Sequence, residues 1–193
     1  MNGRMQGKTV VVMGAGSVGP GWGNGRAIAV RMVEEGAKVM AFDISADRLE
    51  ETVSRAHAAR SIHGGDIGTG ICDVKSNQSI LDAVANTLAH FGRIDVLVNN
   101  VGGSAAGGPI EMTEEVWDSQ IDYNLKSVFL TCKHVLPHMV KQQSGVIINM
   151  ASTSGMRWTG SAQIAYAATK AGVIQMGRVM AVQYAKQGIR VNT

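Results

Sequence analysis

Two side chains in the last third of the chain have the types and spacing for proton transfer: Tyr166 and Lys170, in Tyr-Ala-Ala-Thr-Lys. Four residues apart, they share one face of a helix. A phenol ordinarily keeps its proton to about pH 10, which makes it a poor base in neutral water. An adjacent ammonium favours the phenolate. A tyrosine so placed can pass a proton to or from an alcohol oxygen while hydride moves at the neighbouring carbon. Many helices contain this spacing by chance, so the pair needs support from elsewhere in the chain.

Support comes from the glycine-rich stretch Gly14-Ala-Gly-Ser-Val-Gly-Pro-Gly-Trp-Gly-Asn-Gly25, which directly follows an apolar run. Glycines let backbone N–H groups approach a pyrophosphate, and the helix start behind them offers unpaired donors and positive dipole character. Gly14, Ser17, Gly23, Asn24 and Gly25 are the residues placed to do this. A merely flexible turn would look the same. Asp43, however, ends the second apolar run 18 residues beyond Gly25, with Ile44 beside it. A carboxylate at that edge meets adenosine ribose hydroxyls. It accepts from a free 2′-OH and repels a 2′-phosphate, which favours NAD over NADP. Asp43 as a plain turn residue before a helix is the competing reading.

Positioning these groups requires a particular order of elements. Short apolar runs are expected as strands at Thr9–Met13, Lys38–Phe42, Gly70–Asp73, Ile94–Val98 and Gly145–Asn149, with a sixth beginning at Ile189. Helical patterns fall between them: Arg26–Glu35, Ala46–Arg60, Ser76–Phe91, Thr113 to about Met139 with Pro137 bending its end, and Ile164–Lys186. Such alternation builds right-handed βαβ units and a doubly wound parallel sheet covered by helices on both faces, an α/β fold of the Rossmann type. Parallel strands carry their C-terminal ends, and with them the glycine turn and Asp43, to one common edge.

Composition is consistent with this and removes other classes. The 193 residues, 45% hydrophobic and 17% charged, suffice for one domain with a core, read here as spanning 1–193. The net charge of +3, without a basic stripe, argues against nucleic acid as a partner. Cys72 and Cys132 lack metal or disulfide-framework spacing and read as reduced thiols. With no signal-like N-terminus and no apolar run long enough for a membrane, a cytoplasmic location is expected. His134 and His138 are four apart on a helix but lack a third ligand, so no metal is expected.

Taken together with Asp73-Val74, Asn99-Asn-Val-Gly102, Asn124 and Ser152, these motifs resemble the classical branch of the short-chain dehydrogenase/reductase family. They occur in the family's order, over essentially the whole chain. The resemblance implies NAD(H)-dependent interconversion of a secondary alcohol and a ketone, the small-molecule substrate pair. Tyr166 would be the general acid/base, and Lys170 would bind the nicotinamide ribose and favour the phenolate. Ser152 would hydrogen-bond the substrate oxygen, with Thr153 the alternative if the match slips by one. Asn124 would hold a water linking Lys170 to solvent. Asp73 and Val74 would contact the adenine, and Asn100 and Gly102 would pass beside the cofactor. A homodimer or homotetramer is implied, through helices around Val116–Met139 and Ile164–Lys186. A non-catalytic NAD-binding module on the same fold is the alternative function.

The chain departs from the family pattern in places. Met13 stands where the family usually has threonine. Val18–Trp22 looks inserted within the glycine turn, and Trp22 is expected either beside the phosphates as a small lid or packed on the neighbouring helix. Gly188–Thr193 resembles the start of the family's sixth strand, so the domain reads as cut there, about 50 residues short of the family's usual span. Trp158, Gln163, Met156 and the loop Gly103–Pro109 are expected as pocket walls.

Overall fold

Thr9–Met13 is apolar nearly throughout and buried along its full length, as a central strand covered on both faces must be. This strand, β1, lies in the middle of a six-stranded parallel sheet in the computed structural model, which describes residues 3–60 and 63–193. The other strands are β2 (Lys38–Asp43), β3 (Asp66–Ile71), β4 (Val96–Asn99), β5 (Gly145–Asn149) and β6 (Ile189–Asn192), and the order is β3-β2-β1-β4-β5-β6. The direction of winding reverses between β1 and β4. In open sheets of this kind a crevice opens there, outside the carboxyl ends of the strands.

The strand period of two sends alternate residues to opposite layers. Val10 and Val12 of β1 join Val39 and Ala41 of β2 against α1 (Asn24–Glu34) and α2 (Ala46–Ala59), through Ala29, Val33, Leu49 and Ala56. Val11 and Met13 join Met40, Phe42, Leu97 and Ile147 on the other face. There they meet α3 (Asn77–Phe91), α5 (Ser127–Gln142) and α6 (Ile164–Gln183), through Ile80, Val84, Val135, Met139 and Val173. Local signals set the helix ends: Ser76 caps α3 by accepting from the Ser79 N–H at 3.2 Å, and Thr113 caps α4 (Glu114–Ile121).

Two expectations are corrected in detail. The third strand is displaced toward the N-terminus, Asp66–Ile71 rather than 70–73, because it pairs with β2 from Lys38↔Asp66 to Asp43↔Ile71. Its glycines are accommodated to β2: a Cβ on Gly68 or Gly70 would strike Met40 Sδ at 2.6 Å or Phe42 Cε1 at 2.5 Å. The helix expected from 113 to 139 is interrupted by a π turn at Asp122–Lys126, between α4 and α5. There the side chain of Asn124 donates to the Gln120 carbonyl at 3.2 Å, the bond an α-helical backbone N–H at 124 would make. The ladder widens in response, and the Ser127 N–H reaches Asp122 O. Pro137 lies inside α5 without ending it.

Candidate functional site

The C-terminal ends of β1, β2 and β4 enclose a groove of about 340 Å³. Among the residues expected at a cofactor, Gly14, Ser17, Asp43, Ile44, Asp73, Val74, Asn100 and Gly102 line it. Gly23, Asn24 and Gly25 are not on its wall; they form the N-cap and first turn of α1 behind it. Gly25 is there because of contact with the turn itself: a Cβ would sit 1.7 Å from Gly14 O. That carbonyl also accepts from Asn100 Nδ2 at 2.8 Å, which ties the end of β4 to the glycine turn. The start of α1 has neither a side-chain cap nor an acidic residue in its first turn.

Asp43 faces the groove with its carboxylate already engaged. Oδ2 accepts from the Gly16 N–H at 3.0 Å and Oδ1 from the Ser45 N–H at 3.3 Å, with Arg48 Nη1 at 3.9 Å. Asp43 therefore organises the glycine turn and lies on the groove wall. Arg48 and Tyr123 are lining residues that the sequence did not reveal. Arg48 lies one turn into α2, and Tyr123 is carried in by the π turn. Burial, followed by the Asp43 charge, raises the Tyr123 hydroxyl above its ordinary range. Cys72 also borders the groove, but burial pushes its thiol up and away from reactivity.

Beyond Gly102 lies the second group of predicted residues. Lys170 is almost wholly buried, at 2% exposure, and its Nζ donates to Met150 O at 2.8 Å, just past β5. It stands 5.7 Å from the centre of the Tyr166 ring, so the two side chains converge. Burial lowers the lysine from 10.5 to about 8. Gly102 is what brings the two groups together: a Cβ on it would fall 2.9 Å from Lys170 Nζ and 3.1 Å from Asn124 Oδ1. Asn124 is fully buried and holds the neighbouring Gly103 by both main-chain groups, accepting from its N–H and donating to its carbonyl, each at 3.0 Å. Ser152 follows β5 in extended conformation, its Oγ accepting from the Ser154 N–H at 3.1 Å, which leaves its own proton free to donate. Thr153, the alternative, is exposed and begins the next short turn.

Other expected features separate from this site. Trp158, Gln163, Gly108 and Pro109 line a neighbouring crevice, while Met156 is exposed. Gln163 braces the connection before Tyr166 by donating to Ser154 Oγ at 2.9 Å. Trp22 packs on α2, with the Arg55 guanidinium 4.4 Å from its ring centre. His134 pairs with Asn77, and no metal-binding cluster occurs among the described residues. No described helix is long and apolar enough to cross a membrane.

Sheet order, crossover groove and the residues around it define an α/β protein of the doubly wound, nucleotide-binding class. The chain belongs to the short-chain dehydrogenase family, whose model matches residues 8–193. Relatives include a 3-oxoacyl-(acyl-carrier-protein) reductase of Thermotoga maritima, 38% identical over 98% of this chain and 73% of that protein. A levodione reductase of Leifsonia aquatica is 37% identical over 98% of this chain and 68% of its own length. A crystal structure described as a short-chain dehydrogenase/reductase of Burkholderia xenovorans is 53% identical, with a TM-score of 0.94 over 98% of this chain and 74% of that one. The family is one of oxidoreductases that bind a nicotinamide cofactor.

Proposed function

We propose that this protein interconverts a secondary alcohol and a ketone with NAD(H), Tyr166 serving as general acid/base. The convergence of buried Lys170 on Tyr166, at the Gly102 edge of the groove, carries this reading. The groove suits the adenosine half of a dinucleotide: Asp43 for the ribose hydroxyls, Asp73 and Val74 beside the base, and the uncapped start of α1 near the phosphates. Asp43 is the ground for NAD over NADP. Bound nicotinamide would supply the hydride acceptor or donor.

In oxidation, Tyr166 as general base would take the O–H proton of the alcohol while the carbon bearing that oxygen gives up hydride to a bound nicotinamide, with Ser152 donating to the oxygen throughout. Lys170 spends one donor on Met150 O and keeps the others for ribose hydroxyls. The amide protons of Asn124 are engaged by Gly103 O and Gln120, so a water there would donate to its side chain rather than accept from it. A different part of the surface supports self-association. Phe129 and Val179, exposed on α5 and α6, line an apolar hollow of about 770 Å³.

The test combines binding with turnover. NADH should bind more tightly than NADPH, and a panel of secondary alcohols and ketones should show cofactor-dependent turnover. Tyr166→Phe should lower that turnover by about 10²–10⁴-fold with NADH affinity unchanged. Binding without turnover of any panel member favours the non-catalytic module.

A further inference from the structure

The inserted loop has few contacts of its own. Val18 is 91% exposed, and Cβ atoms built on Gly19 or Gly21 would meet nothing within 4 Å. Two glycines in such surroundings carry a large ordering entropy. Yet Ser17 and Val18 form part of the groove wall, so the loop has to be held from behind.

It is held by a charged cluster on α1 and α2. Arg26, 2% exposed, lies in the first turn of α1, one residue past Gly25. Its guanidinium donates to Gly21 O, to Glu51, to Arg48 O at 3.2 Å and to Thr52 Oγ1 at 3.1 Å. Thr52 in turn donates to Ala15 O at 3.0 Å, so both ends of the loop are tied to α2. Glu51 also accepts from Arg55 at 2.6 and 2.9 Å, and Arg55 stacks on Trp22. The two arginines hold the Glu51 carboxyl below its usual range, Arg55 contributing most through its hydrogen bonds.

We propose that Trp22, Arg55, Glu51 and Arg26 form a clamp that positions the Ser17–Gly21 backbone for the diphosphate of the bound dinucleotide. The proposal rests on the dinucleotide reading above. Trp22 acts here as a fastener on α2 and touches no ligand. Arg26 is a positioning residue: it satisfies Gly21 O and, through Thr52, Ala15 O, and it fixes the backbone of Arg48 beside Asp43.

The clamp predicts coupled losses confined to ligands with a diphosphate. Trp22→Ala and Arg55→Ala, both at partly exposed positions, should fold with unchanged thermal midpoints. Each should weaken NADH and ADP-ribose by about three- to fivefold, as expected for loss of one cation–π contact. The double variant should lose no more than either alone, Trp22→Phe should recover most of the affinity, and adenosine affinity should not move. NADH and ADP-ribose would be followed by titration calorimetry and adenosine by saturation-transfer NMR, all on the full chain. Weakening by Trp22→Ala but not by Arg55→Ala would mean that the indole meets the ligand itself, and would overturn the clamp. Equal losses for adenosine, or no loss in either variant, would overturn it too. Failure of the unaltered chain to bind NADH would instead overturn the dinucleotide reading, and the clamp's purpose with it.

Discussion

Lys170→Met separates the cost of the buried ammonium from its use. Lowering the lysine from 10.5 to about 8 corresponds to about 3 kcal/mol of destabilisation carried by the folded protein near neutrality. Lys170 is only 2% exposed, so solvent screening discounts this little. Below pH 8 both folded and unfolded chains hold the proton, and the burial cost is present in full. Between about 8 and 10.5 the unfolded chain binds a proton that the folded chain has released, so stability from this group rises with pH. Methionine fills similar space without a charge and abolishes that rise. At pH 7 the variant recovers about 3 kcal/mol but leaves Met150 O unpaired, a loss of about 1–3 kcal/mol, so it should equal or exceed the unaltered protein. The wild-type stability should gain on the variant by about 2 kcal/mol between pH 7 and pH 10. Urea unfolding at both pH values, at constant ionic strength, measures this difference, in which the other titrating groups cancel. A gap that stays constant, or widens in the variant's favour, refutes the reasoning.

Two further substitutions probe the separate halves of the site. Ser152→Ala should lower turnover of whichever substrate the alcohol and ketone panel identifies by about 10²–10³-fold. Stopped-flow kinetics should show NADH affinity unchanged in that variant. Gly25→Ala places a Cβ 1.7 Å from Gly14 O. It should destabilise by about 3 kcal/mol or more, as overpacking does, and abolish NADH binding; urea midpoints and calorimetry would read both.

The sheet was legible from the sequence because buried parallel strands are short apolar runs, and here each run ends at a residue that matters. Met13 precedes the glycine turn, Phe42 precedes Asp43, and Asn149 precedes Ser152 by three residues. Tyr166 and Lys170 were legible because a helix converts a spacing of four into a shared face. What escaped was set by neighbours. The third strand slid toward Asp66 because β2, rather than its own glycine-rich composition, fixes its register. The π turn arises from a side chain competing for a backbone carbonyl, a contest that periodicity cannot record. Arg48 and Tyr123 reached the groove because α2 begins, and that turn passes, beside it, placements that no local motif encodes.

Residue types and their order along the chain thus determined the family, the sheet edge that carries the groove and the pairing of Tyr166 with Lys170. Local covalent spacing suffices for features that lie within one turn or one strand. Tertiary structure decided the rest: that Gly102 joins the groove to Lys170, that Asn124 is committed to Gly103, and that Trp22 lies against Arg55 of α2. Each of these depends on segments distant in sequence being packed to within about 4 Å, where the missing volume of one glycine or the reach of one guanidinium selects the arrangement.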